Sequence, residues 1–178
     1  MGRTEPQLEK ASEHVKYELE MLTAALSFLS NGPDETNPHT WNAYLESFVI
    51  HIRSVIDFLY PPTNRQPDDI LAEEYVTDVA QWNRDRPAKT NLLRDAKKKA
   101  DKQVAHLTYV RVGADKDWNW KAIWSDLENV AICFFDHLPP GRKTWFEVRA
   151  STGPTGPTGA PSRAVERGHT GPAGPKCG

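Results

Sequence analysis

Residues 42–60 read NAYLESFVIHIRSVIDFLY, and the period of this stretch decides the fold. Trp41, Leu45, Phe48, Ile52, Val55, Ile56 and Leu59 recur at steps of three and four, which gathers them on one side of a 3.6-residue helix. Asn37-Pro38 supplies a start signal and Pro61-Pro62 a stop. The stretch therefore predicts an amphipathic helix whose apolar stripe must be buried against a neighbour, as in a bundle.

Working outward, the same pattern recurs. Upstream, Thr4 with Gln7 three residues on is a capping-box start for a run that aligns Leu8, Ala11, Val15, Leu19, Leu22, Leu26 and Leu29, stopped by Asn31-Gly32-Pro33. Downstream, Asp68 and Asp69 suit the N-terminus of a third, shorter helix with Ile70, Leu71, Tyr75, Val79 and Trp82 inward, closed by Pro87. A fourth helix is expected from about Thr90 to Gly113, with Leu93, Ala96, Ala100, Val104 and Leu107 inside and Arg94, Lys98 and Lys102 outside. A fifth is expected from about Asp117, with Trp120, Ile123, Trp124, Leu127, Val130, Ala131, Phe134 and Leu138 inward, leaving Trp118 exposed. Only Lys143–Val148, KTWFEV, has a strand-like look. Four glycines precede residue 149, so little in the body loosens helices. The expected fold is all-α: an up-down bundle of about five helices, four of them long, over residues 1–148.

Residues 149–178 change character. Gly153 to Pro161 and Gly168 to Lys176 keep glycine in one three-residue register, interrupted where Ser162 and Val165 stand in glycine positions. A disordered, collagen-like tail is expected, with an interrupted trimerising stalk as the sharper alternative.

Composition excludes several classes. No apolar run reaches the roughly 18 residues that span a bilayer, and the start, MGRTEPQLEK, is too polar for a signal peptide. Cys133 and Cys177 lie far apart, so a disulfide framework is not expected and a cytoplasmic, reducing location is. No P-loop, dinucleotide fingerprint, zinc-finger spacing, HExxH or GxSxG text occurs, and the six histidines form no i, i+4 pair, so neither metal nor cofactor is expected. The net charge of −2 conceals an asymmetry. Residues 1–83 carry 5 basic and 14 acidic side chains (−9), whereas residues 84–111 carry 9 basic and 3 acidic (+6). A basic segment in an acidic body points either to an anionic partner such as nucleic acid or to charge pairing within the chain or a dimer.

The segments NAYLESFVIHIRSVIDFLY, DDILAEEY and, from Ala100 to Arg111, ADKQVAHLTYVR together resemble a group of small bacterial helical proteins. More distantly they resemble the HEPN superfamily (higher eukaryote and prokaryote nucleotide-binding). The resemblance implies a helical bundle, a homodimer, and metal-independent ribonuclease or RNA-binding activity in a defence setting, with an Arg–polar–His site on a helix at the dimer cleft. In this chain Lys102 stands for that arginine, one residue too close to His106.

Such chemistry needs a group titrating near neutrality to deprotonate a ribose hydroxyl, and fixed cations for the phosphorane. His106, Lys102 and Arg111 are the catalytic candidates on that reading, while His106 packed at the helix seam on a buried carboxylate is the alternative. Arg53 and Asp57, one turn apart, read as an ion pair or as binding groups, with a link to His106 considered. Arg94, Lys98 and Tyr109 complete the binding candidates, with Lys97 and Lys99 in the same basic stripe. A non-catalytic protein–protein interaction module is the competing function.

Overall fold

In a computed structural model, which describes residues 2–33, 36–104, 109 and 118–147, helices follow the apolar runs. All described residues belong to the compact unit Met1–Val148; the tail after it lies outside the described residues. Helix α1 spans Glu5–Leu29. Its start is held by Gln7, whose Oε1 accepts from the Thr4 backbone N–H (2.9 Å) and hydroxyl (3.2 Å). Gly32 sits at φ 85° just past its end, a left-handed position that glycine adopts without a Cβ penalty. Helix α2 spans Pro38–Leu59, with the Asn37 side chain accepting from Thr40 N–H at 3.3 Å.

Helices α4 (Asn91–Gln103) and α5 (Trp120–His137) complete the four long elements. Neighbours run antiparallel, as pairs of contacts at their two ends show. Phe28 stacks on Tyr44 (3.8 Å between centroids) while Glu18 meets His51 further along (2.8 Å). Asp57 meets Lys97 and Arg53 meets Asp101 between α2 and α4. Thr90 meets Asp126, and Lys99 meets Trp118, at the two ends of the α4–α5 contact. The fold is all-α, with no strand among the described residues. Helix α2 is its centre: it packs on α1, α4 and α5 and buries Phe48, Val49, Ile52, Val55, Ile56, Phe58 and Leu59.

Shorter elements close one end. A 3-10 turn at Ala72–Glu74, helix α3 (Val79–Asp85), helix α6 (Pro140–Lys143) and a 3-10 turn at Thr144–Phe146 surround an aromatic cluster. Phe134 is its hub, edge-on to Phe58 (5.1 Å), Phe146 (5.5 Å) and Trp82 (5.9 Å).

Four expectations are corrected. Asp68 and Asp69 start no helix: the Asp69 carboxylate accepts from Gln66 N–H (2.7 Å), and Arg3 draws the Pro67 and Asp69 carbonyls to itself (3.1 and 3.2 Å). A 3-10 turn at Ala72–Glu74 follows, and the α-helix begins only after Asp78, which caps Gln81 N–H at 2.9 Å. Tyr75 and Trp82 are buried as expected, but Val79, at the first position of α3, is exposed. KTWFEV is no strand, since Lys143 ends α6 and Thr144–Phe146 coil so that Phe146 enters the aromatic cluster. Trp118 is half-buried against the core under the Lys99 ammonium (4.6 Å), and Trp120 and Trp124 are no more than half-buried themselves. Finally, α4 ends at Gln103 with Val104 as its C-cap, short of Gly113; Leu107 and Gly113 lie outside the described residues.

Candidate functional site

Helix α4 begins at Thr90, whose side-chain oxygen accepts from Leu93 N–H (3.2 Å) while its hydroxyl donates to Asp126 on α5 (2.7 Å). From that anchor Leu93, Ala96 and Ala100 go into the core, which leaves the charged residues two adjoining strips. The strip beside α2 is used internally. Lys97 Nζ donates to Asp57 Oδ2 at 2.6 Å, and Arg53 Nε donates to Asp101 Oδ1. Because 53 and 57 are one turn apart on α2, and 97 and 101 one turn apart on α4, the two bonds form an antiparallel ladder. The expected Arg53–Asp57 pair within α2 is thereby corrected: each side chain finds a better placed partner across the interface. The inner rung is the drier one, with side chains 29% and 23% exposed against 41% and 34% for Arg53–Asp101. The second Asp57 oxygen, Oδ1, is buried without a hydrogen-bond partner among the described residues.

The other strip faces outward. Arg94, Lys98 and Lys102 are exposed at four-residue steps, and Arg94 also donates to Asn91 Oδ1 (2.9 Å). Tyr109 is 96% exposed. His106 and Arg111 lie outside the described residues, so the grouping of Lys102 with them, and any link from Arg53 or Asp57 to His106, falls outside as well.

Next to the ladder lies a constellation that the sequence did not announce. Tyr60, the C-cap of α2, is buried, and its hydroxyl donates to Pro87 O at 2.8 Å. Its ring takes two cations: the Arg86 guanidinium at 5.0 Å, which also donates to Leu59 O (2.6 Å), and the Lys89 ammonium at 5.5 Å. Burial pushes the Lys89 amine below the usual lysine range; Asp57 opposes that shift, and the like charges of Lys97 and Arg94 add to it. Burial likewise raises the Tyr60 phenol.

A second unannounced arrangement joins α3 to α5. Cys133 and His137 stand one turn apart, Sγ to Nδ1 3.9 Å, and His137 Nε2 faces Asp85 Oδ2 at 3.0 Å. The residue types suggest a Cys–His–Asp nucleophile, but the protons are committed elsewhere. His137 Nδ1 donates to Cys133 O (2.8 Å) and Nε2 to Asp85. Those bonds hold the imidazole above its usual pKa, the backbone bond most strongly, while Gln81 and His137 hold Asp85 below its own. Nδ1, the ring nitrogen beside Sγ, already carries the hydrogen it donates to Cys133 O and cannot take the thiol proton, and burial raises the Cys133 thiol. This is an interhelical tie, not a catalytic dyad. The Cys133–His137 spacing was visible in the sequence, but its partner Asp85 was not, because a 52-residue separation carries no local signal.

Among the described residues no group of three or more His, Cys, Asp or Glu side chains could hold a metal ion, and no helix is long and apolar enough to cross a membrane. No protein-family model, curated protein or solved structure matches the chain.

Proposed function

We propose that the helical domain is a cytoplasmic, HEPN-like RNA-binding module that contacts phosphates through the outer strip of α4. One observation carries the reading: the ladder to α2 consumes Lys97 and Asp101, while Arg94, Lys98 and Lys102 stay exposed at successive turns. Closely spaced outward cations on the basic part of an otherwise acidic chain are the electrostatic footprint of a polyanion site. The exposed Tyr109 ring adds a surface on which a base can stack. Binding is favoured over cleavage because Arg53 and Asp57, two charges that could have served a site beside α4, are engaged in holding helices together.

The test is fluorescence anisotropy with a single-stranded RNA across a salt series. Each phosphate contact contributes about −0.7 to the slope of log K against log salt, so Arg94→Gln and Lys98→Gln should each flatten the slope by about that much. Wild type without affinity for RNA, or a double variant with an unchanged slope, overturns the reading. A ribonuclease would in addition cleave in chelator and lose that activity in His106→Ala with helicity intact; purified wild type that leaves RNA whole removes cleavage.

A second reading, a homodimeric interaction module, draws on the exposed apolar side chains of α1 and α2: Tyr17 (50%), Ile50 (48%) and Tyr44 (36%). Sedimentation equilibrium decides it. A dimer that Tyr17→Glu with Ile50→Glu dissociates supports this reading, and a wild-type monomer at all concentrations refutes it.

A further inference from the structure

We infer that a groove floored by α2, between α1 and the 62–71 segment, binds a small zwitterion: an α-amino acid with an apolar side chain. Two cavities adjoin there, with Ser54, Phe58 and Ile70 as walls common to both. The larger, about 250 Å³, is the polar one, and Arg53, Ser54, Asp57 and Asp69 line it. The smaller, about 180 Å³, is mainly apolar: Val15 comes from α1, Val55 and Phe58 from α2, and Ile70 from the segment that follows α2.

The bonds already made decide what each polar group has left to offer. Asp57 is committed, since Oδ2 accepts from Lys97 at 2.6 Å and Oδ1 is buried. Glu18, a polar member of the smaller cavity, is likewise committed, to His51 at 2.8 Å. Arg53 spends only Nε, on Asp101; its two terminal amino groups have no partner among the described residues, and its side chain is 41% exposed. Held by that edge, the guanidinium still presents the end-on pair of N–H groups that fits a carboxylate. Asp69 is the reverse case. One carboxylate oxygen accepts from Gln66 N–H (2.7 Å), and Arg3 reaches only its backbone carbonyl (3.2 Å). The other carboxylate oxygen has no partner, and no ion pair forms to this side chain, among the described residues.

The polar cavity thus offers one forked cation and one open carboxylate. A plain anion answers only the first and a plain cation only the second, whereas an amino acid carries a carboxylate and a three-donor ammonium on one carbon. The apolar cavity beside it receives the side chain, and burial of that side chain supplies the non-polar part of the affinity.

The test is isothermal titration calorimetry on the full chain with L-leucine and L-phenylalanine, against isocaproate, which lacks the ammonium, isoamylamine, which lacks the carboxylate, and glycine, which lacks the side chain. Saturable one-to-one binding of at least one of the two apolar amino acids is expected, with each truncated probe about tenfold weaker or more. Arg53→Gln and Asp69→Asn should each weaken the amino acid by a similar factor at unchanged helicity. Asp101→Asn breaks the same rung of the ladder but leaves the guanidinium in place, so it should leave binding within about twofold. No binding of either amino acid, equal binding of isocaproate or isoamylamine, or indifference to Asp69→Asn would each overturn the inference. So would Asp101→Asn matching Arg53→Gln, because the ladder and not the free end of Arg53 would then be responsible. The readout is amino-acid affinity at a groove apart from the outer strip of α4, so it stands or falls separately from the proposed RNA binding.

Discussion

Removing Lys97 should cost far more than removing Asp101, although both belong to the same ladder. The difference lies in what each truncation leaves behind. Lys97→Met keeps the aliphatic stem packed but takes the Lys97 bond from an Asp57 carboxylate whose other oxygen is already buried with no partner among the described residues. Breaking a fully buried pair costs about 3–5 kcal/mol and a surface pair about 0–1. With both side chains about a quarter exposed, the inner rung belongs between these limits, at about 2 kcal/mol. The outer rung, with more than a third of each side chain exposed, should lose at most about 0.5 kcal/mol in Asp101→Asn.

Urea unfolding followed by far-ultraviolet circular dichroism reads both. With a slope of about 2 kcal/mol/M, Lys97→Met should lower the midpoint by about 1 M at unchanged slope, and Asp101→Asn should scarcely move it. Adding Asp57→Leu to Lys97→Met should restore most of the loss, because the stranded charge is then gone. If Lys97→Met is neutral, or if Asp101→Asn costs as much, burial does not grade the two rungs and the reasoning fails.

Phe134→Ala should destabilise by about 3–5 kcal/mol, since it empties the hub that Phe58, Trp82 and Phe146 share; a loss under about 1 kcal/mol by urea unfolding would mean the cluster is not packed as described. Tyr75→Phe should cost about 1 kcal/mol, as the hydroxyl donates to Leu8 O at 3.2 Å inside the core. Spectrophotometric titration should find Tyr75 among the late tyrosines, pushed up to about 12 chiefly by burial. The His137–Asp85 tie has a defined pH window: the raised imidazole contributes fully below its ordinary 6.5 and is lost as pH climbs through its elevated value, while the lowered carboxyl contributes above 3.8 and is lost as pH falls through its depressed value. Stability against pH should therefore decline as pH rises from 6.5 through the elevated His137 value in wild type and not in His137→Gln; NMR titration placing the His137 ring at or below an ordinary histidine pKa would contradict it.

Where a signal is local, the sequence announced the element. Asn37 and Thr90 start helices because a cap needs only its own side chain and the next turn's N–H groups, and Thr4 does so because the Gln7 side chain reaches back to its N–H; the stripes of α1, α2, α4 and α5 are buried because a 3.6-residue period has one apolar face. Local signals also misled where they competed: Asp69 and Asp78 are the same residue type, yet Asp78 caps a helix while the Asp69 carboxylate turns back to Gln66 N–H and its carbonyl meets Arg3, 66 residues away. Of the candidate site, the outward course of Arg94, Lys98 and Lys102 was legible because helix phase alone sets it.

The class of this protein, a set of amphipathic helices with polar outer faces, was therefore determined by residue order alone, because periodicity and caps act within a turn or two. Which charges meet was decided only by the tertiary structure: Arg53 with Asp101, Asp57 with Lys97, His137 with Asp85, and Lys89 on the face of Tyr60. Those partners depend on how far one helix slides and turns against the next, and that register is set by the whole packed core, not by any neighbouring residue.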